Sequence, residues 1–288
     1  MTDRDDVFEV RFWGVRGSVP TPGPSTAEVG GNTSCVEVLV GGERVIFDAG
    51  TGIRALGETL LDRGPVDAHL FFSHVHWDHI QGFPFFTPIY EPGVTLSLHA
   101  GREAGRTLRN ALAGQMSFPY FPVRFHDITA ATRFHELDAH ERVTLGPRGV
   151  VVHGDAGFHP DGVFAYRLEH KGHAVVYATD IESSPDADAR LIALARGADV
   201  LIYDAQYTPE EYAGEVGRGP KVGWGHSTML DGARIAEAAG VGTLVLFHHD
   251  PRQDDTAVRA KERRAQDAFP RTVAAREGLV IDVPRAKR

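Results

Sequence analysis

Ser73-His74-Val75-His76-Trp77-Asp78-His79 gathers three imidazoles and one carboxylate directly behind the apolar run Ala68 to Phe72. A short apolar run of that kind reads as a buried strand. The cluster therefore falls where a strand ends, the backbone turns and side chains can converge. Imidazole nitrogens with a carboxylate suit zinc, and also manganese or iron. The competing reading is a chance group on a surface loop. Phe71, Phe72, Ile80 and Phe83 flank the cluster on both sides and speak against that reading, because large apolar side chains belong to a core.

Outward from this point, β-branched apolar runs alternate with helical stretches. Phe8 to Trp13, Cys35 to Val40, Arg44 to Phe47, Ala68 to Phe72 and Thr95 to His99 read as strands. Ile53 to Arg63, closed by Gly64, reads as a helix, and so does Arg102 to Leu112. In the second half Val150 to His153, Val163 to Glu169, Ala174 to Ala178, Val200 to Tyr203 and Thr243 to Phe247 are strands. Helices fall at Ala187 to Arg196, Thr228 to Ala239 and Thr256 to Phe269. Thr228 with Asp231 three residues on resembles a capping box. With no linker, charge block or solenoid repeat between them, residues 1–288 read as one α/β domain of two packed sheets with helices outside.

The bulk composition, 42% hydrophobic and 24% charged over 288 residues, is that of a globular chain with a substantial core. No apolar run is long enough to span a bilayer. The acidic start Met1 to Asp6 is unlike a secretory signal, so a cytoplasmic protein without a membrane partner is expected. The lone Cys35 excludes an intrachain disulfide and a thiolate metal cluster. Its place in Ser34 to Val40 predicts a small buried core residue. A net charge of −9 disfavours a general nucleic-acid binder and leaves room for a small anionic substrate.

His74-x-His76-x-Asp78-His79, followed by Gly82, resembles the signature of the metallo-β-lactamase superfamily, and the resemblance extends over nearly the whole chain. Asp48-Ala49-Gly50-Thr51-Gly52 resembles that superfamily's first motif. Trp13-Gly14-Val15-Arg16-Gly17-Ser18 and Gly30-Gly31-Asn32-Thr33 resemble the branch that holds ribonuclease Z and small-molecule phosphodiesterases. The resemblance implies a four-layer αββα sandwich, two mixed sheets face to face with helices outside, and a site at one edge. It also implies three further ligands. The first is His159, with His153 as its rival. The second is Asp180, whose two oxygens can bridge two cations. The third is His248, whose neighbour His249 leaves the strand on the opposite face. Two divalent ions follow, zinc ahead of manganese or iron. One sits on His74, His76 and His159, the other on Asp78, His79 and His248, with Asp180 shared. Asp48 orients a ligand histidine, or is a plain turn residue.

Two cations roughly 3.5–4 Å apart can activate a shared water for in-line attack on phosphorus. Gly225-His226-Ser227-Thr228 resembles the motif whose histidine, in ribonuclease Z and its phosphodiesterase relatives, lies beside the scissile phosphate. His226 is thus the candidate general acid, with Asp204 its partner and Asp78 counted as both ligand and catalytic group. The bland alternative is that His226 caps its helix or packs on Trp224, and a helix N-terminus disfavours a charged imidazole.

As substrate, a small phosphodiester such as a cyclic nucleotide fits better than transfer RNA, given the net charge of −9 and the close spacing of His159 and Asp180. Transfer RNA is not expected. Ribonuclease Z grips it with a long basic arm, in bacterial forms between the third histidine ligand and the shared aspartate. Here His159 and Asp180 are only 21 positions apart. The aromatic segments Phe83 to Tyr90 and Phe118 to Pro122 could stack a base, or pack loops and form a homodimer contact. Asn32, Arg16, Phe85 and Phe86 are the candidate substrate contacts, with Lys221 and Arg252 as further cations. Two rival chemistries share the fold: lactone or thioester hydrolysis, and an iron-dependent oxidoreductase. The diiron branch of the latter carries a glutamate where this chain has His76. A binding module with a degenerate site ranks last, since nothing in the ligand set is degenerate.

Overall fold

The computed structural model describes residues 7–61, 66–102 and 108–285. Phe8–Gly14 (β1) alternates buried and half-buried side chains, as a strand with one face on a core must. It pairs antiparallel with Cys35–Val40 (β2), and a Gly41-Gly42 turn at positive φ leads into Glu43–Phe47 (β3). From there the chain crosses over repeatedly. Gly52–Leu61 (α1) precedes Asp67–Phe72 (β4), and the single turn Trp77–Ile80 (α2) precedes Thr95–Gly101 (β5). Leu108–Gln115 (α3) then precedes Ala131–Leu137 (β6), and the successive pairings β3–β4, β4–β5 and β5–β6 are all parallel.

The second sheet opens as an antiparallel meander of Arg142–Leu145 (β7), Val150–Ala156 (β8), Phe164–His170 (β9) and His173–Ala178 (β10). Pro185–Ala195 (α4) connects to Val200–Asp204 (β11). Pro209–Ala213 (α5) and Met229–Ala239 (α6) lead to Thr243–Phe247 (β12), and Asp255–Ala268 (α7) to Thr272–Ala274 (β13). These later strands run parallel to one another and to β10. Val280–Asp282 (β14) returns to pair with β1, giving sheet orders β14-β1-β2-β3-β4-β5-β6 and β13-β12-β11-β10-β9-β8-β7.

Three apolar layers fix the sandwich. The central one joins the inner faces of both sheets. There Phe47 stands 5.0 Å from Tyr177, 5.9 Å from Tyr166 and 6.0 Å from Phe71, ring centre to ring centre. The second packs β9 to β12 against α4, α6 and α7, and the third packs β2 to β5 against α1 and α3. This is the αββα order that the resemblance implies. Cys35 is fully buried in the third layer, as its strand position predicts. α6 begins as its sequence says: Thr228 Oγ1 accepts the Asp231 amide at 3.3 Å, Asp231 accepts the Thr228 amide at 3.2 Å, and Gly240 closes the helix at φ 67°.

Four strands escape the sequence reading. β6 and β7 are half-exposed strands in which polar and apolar residues are mixed, while β13 and β14 are three residues each. The helix expected from Arg102 is described only from Leu108, and Arg63 and Gly64 lie outside the described residues. No described helix is long and apolar enough to cross a membrane.

Candidate active site

β3, β4, β10, β11 and β12 end at one edge of the sandwich, and each delivers a polar residue there: Asp48, Ser73-His74, Asp180, Asp204 and His248. Asp48, Asp180 and His248 hold φ of 60°, 54° and 57°. The left-handed conformation costs a residue with a Cβ on the order of 1–3 kcal/mol and survives only where its surroundings over-determine it. Just past the end of a strand it turns the side chain across the edge, into the space between the sheets.

Two groups of ligand-type atoms result. His74, His76 and His159 form one, and Asp78, His79, Asp180 and His248 the other; in each, the nitrogen and oxygen atoms lie within 4.8 Å of one another. Asp180 stands between them. Its Oδ1 is 3.9 Å from His74 Nε2, and its Oδ2 is 3.2 Å from His79 Nε2 and 3.3 Å from His248 Nε2. A third group, Asp180, Asp204, His226 and His248, adjoins the second.

Three of the imidazoles are held on their far side by oxygen. His79 Nδ1 donates to Asp48 Oδ2 at 2.7 Å, His248 Nδ1 to Gln206 Oε1 at 2.9 Å, and His159 Nδ1 to the Gly225 carbonyl at 2.8 Å. Donation from Nδ1 leaves the Nε2 lone pair free and directed inward, as ligand histidines are held. His74 Nε2 and His79 Nε2 are buried beside the Asp180 carboxylate without forming a hydrogen bond to the protein. An orphaned imidazole nitrogen facing carboxylates is costly unless a cation occupies the gap, so the donor set fits divalent metal ions.

Burial pushes the His74 and His159 imidazoles below their ordinary range. Burial opposes charge on His79 as well, but Asp180, Asp78 and Asp48 outweigh it and hold that residue well above its usual value. Asp78 and Asp180 lie well below the usual carboxylate range: burial works against their charge, and the surrounding histidines overcome it. His226 shows the same contest. Burial disfavours its imidazolium, but Asp204 Oδ2, 2.8 Å from Nδ1, with Asp180 and Asp78, raises it to about 9.

Several expected substrate contacts stand elsewhere. Arg16 is fully buried, its guanidinium donating to the carbonyls of Gly30, Asp250 and Gln253 at 2.8, 3.3 and 2.6 Å, so it ties the chain together and is closed to a phosphate. Asn32 donates its side-chain amide to Glu277 Oε2 at 3.1 Å and its backbone amide to Oε1 at 2.7 Å, fixing the turn. Phe86 is a core residue of the layer under α1, whereas Phe85 is exposed and meets the edge of Phe121 at 5.5 Å. Lys221 is buried beneath Trp224, and Arg252 is held by both oxygens of Asp250. His153 faces Glu169 on β9, outside the metal groups, and His249 turns away to the Ala275 carbonyl at 3.0 Å.

The sequence reading gave no role to Gln206, Tyr177 or Glu182. Tyr177 donates to Asp48 at 2.7 Å. Glu182 accepts the amides of Gly223 and Gly225 at 2.7 Å each, and so holds the loop that carries His226. None belongs to a local motif; each acts across a long stretch of chain.

Residues 43–249 match the family model of the beta-lactamase superfamily domain. A ribonuclease Z from Gemmatimonas aurantiaca is 29% identical over 318 aligned residues, spanning 95% of this chain and 95% of the relative. Among solved structures, a diphosphatase from the PhnP family superposes with a TM-score of 0.68 at 21% identity, covering 95% of this chain and 97% of its own. Human tRNase Z, short form, superposes with a TM-score of 0.63, also at 21% identity, covering 96% and 99%.

The relatives overturn one expectation. The sequence argues against transfer RNA as a partner, yet chains similar along nearly their whole length carry the name ribonuclease Z, and the human tRNase shares the fold. Neither the net charge nor the short spacing excludes it. A chain-wide charge of −9 says nothing about the charge of one face. The two-residue turn between β9 and β10 rules out an insert only at that point.

Proposed function

This chain belongs to the beta-lactamase superfamily, and from that premise we propose that it is a metal-dependent phosphodiesterase with a dinuclear centre. The observation that carries the reading is the pairing of two adjoining ligand groups with a buried His226–Asp204 couple beside them. His74, His76 and His159 would hold one ion, Asp78, His79 and His248 the other, and Asp180 would serve both. Bound there, divalent ions, zinc first among them, supply charge neutralisation at a phosphoryl oxygen and a more acidic water.

The protein's own part is to position and to move a proton. Asp204 occupies Nδ1 of His226 at 2.8 Å, so the proton available for transfer sits on Nε2. When the P–O bond breaks, the departing alkoxide takes that proton, the attacking water's proton passes to solvent, and the imidazole is reprotonated from solvent before the next turnover. A general acid of this kind contributes on the order of 10²–10⁴ in rate. The Asp204 carboxylate against Nδ1 favours the charged, proton-donating form of this imidazole.

As to substrate, we favour a small phosphodiester such as a cyclic nucleotide. Trp77, Phe158 and Trp224, each next in sequence to a cluster residue or within two positions of one, are exposed around the site and offer faces to a base. Precursor transfer RNA enters as the second substrate through the relatives' names. The deciding assay loads the protein with zinc or manganese and offers bis-p-nitrophenyl phosphate, cyclic mononucleotides, a precursor transfer RNA and a lactone. Turnover of phosphodiesters is expected, with His226→Ala losing poor leaving groups most while metal content stays normal. Turnover of the lactone alone would refute the reading.

A further inference from the structure

An open cleft of about 470 Å³ lies against α3, lined among others by Arg109, Ser117, Phe118, Arg124, Phe125 and His126. Its charge departs from that of the chain. Between Leu108 and Phe134 there are three arginines, one aspartate and no glutamate, in a protein of net charge −9. Arg109 and Arg124 are exposed and, among the described residues, form no ion pair. Arg109 is held in place, its guanidinium 4.3 Å above the Phe134 ring and 5.8 Å from Phe125. His126 meets Asp127 at 3.2 Å.

The rest of the wall is aromatic. Phe118 is 88% exposed and neighbouring Tyr120 81%, while Phe125, on the cleft floor, stacks on Phe83 at 6.2 Å. Large aromatic side chains left in water beside unpaired cations mark a recognition site. An aromatic face attracts a flat ring, and a guanidinium attracts phosphate. The volume lies within the range of roughly 300–1,000 Å³ usual for small-molecule sites.

We propose that this cleft binds a nucleotide unit, its base on Phe118 and its phosphate between Arg109 and Arg124. None of the lining residues belongs to the groups of ligand-type atoms, and the proposal does not depend on the hydrolase reading. Its ligand is a free mononucleotide or one residue of a single-stranded nucleic acid; the shared chemistry is an aromatic base bearing a phosphate.

The test titrates the full-length protein with adenosine 5′-monophosphate and, separately, with a labelled single-stranded phosphorothioate decamer. Saturable binding of either is expected, and the pair tells the two sources apart. Arg124→Ala, Arg109→Gln and Phe118→Ala should each weaken it about 5- to 100-fold, the range for loss of one stack or one charged phosphate contact. Turnover of bis-p-nitrophenyl phosphate should be unchanged in the two arginine variants. If neither probe binds, or all three variants bind like the parent, the proposal falls. It also falls if Phe118→Ala converts a dimer to a monomer at unchanged affinity, because the surface is then a contact between copies. If the variants lose affinity in a protein that hydrolyses no phosphodiester, the cleft stands and the hydrolase reading falls.

Discussion

Asp48→Asn tests the architecture of the site with the removal of a single charge. The Asp48 carboxylate is buried and accepts four donors, each at 2.7 Å: the Ser73 amide on Oδ1, and Ser73 Oγ, Tyr177 Oη and His79 Nδ1 on Oδ2. An amide side chain can present its NH₂ on either side. On the first side it opposes a backbone N–H that cannot rotate, and on the second the His79 N–H whose direction leaves Nε2 free. Either choice strands a donor and removes the charge from the remaining bonds. One such mismatch costs about 1–3 kcal/mol, and bonds to an ionised acceptor contribute about 1.5–3 kcal/mol each. With partial relaxation of the two hydroxyls, a loss of about 3 kcal/mol is expected. For a chain of this size that lowers the melting temperature by roughly 5 °C. Chelator-treated protein followed by calorimetry isolates this term. Metal titration of the same variant should show affinity reduced about 10- to 100-fold, because His79 has lost its orienting partner. A melting temperature within a degree of the parent, with unchanged metal affinity, would refute the account of Asp48 as the group that aligns the cluster.

Gly225 has φ 83°, and a Cβ there would overlap His159 Nδ1. Gly225→Ala should therefore displace His159 and cut the metal content of purified protein, measured by elemental analysis, while the fold persists by circular dichroism. Burial pushes the Lys261 ammonium down to about 7, despite Glu211, Asp204 and Asp250 pulling it upward. Between about 7 and its ordinary value of 10.5 the unfolded chain holds a proton that the folded chain has released, so this residue makes stability rise with pH across that window. Lys261→Met should flatten the rise, as read by urea unfolding at pH 7 and pH 9.5. Cys35, fully buried with its thiol pushed up by burial, should take up no thiol reagent in the native protein and one equivalent in denaturant.

The sequence was most legible where chemistry and local pattern coincide. His74, His76, Asp78 and His79 stand in one turn behind an apolar strand, and Thr228 with Asp231 announces its helix. His159, Asp180 and His248 come from separate strand ends and could be located only through the family resemblance; the structure brings all three to the same edge. Arg16 misled because its partners are backbone carbonyls, two of them more than 200 positions away, and a carbonyl leaves no trace in the sequence. Phe85 and Phe86 are adjacent and opposite in fate, one exposed and one in the core, because the chain there forms irregular single turns with no period to read. β6 escaped notice because its alternating, largely polar side chains carry little apolar signal at the sheet edge.

Of the residues drawn together at the catalytic edge, His74, His76, Asp78 and His79 hang from the rim of one sheet, and His159, Asp180 and His248 from the rim of the other. Neither rim alone holds a complete set. Whatever occupies the centre is therefore a clasp on the seam between the layers, and its affinity is coupled to closure of that seam. A substitution deep in the apolar middle that lets the layers drift apart should register first as a looser grip on the ions, long before any strand comes undone.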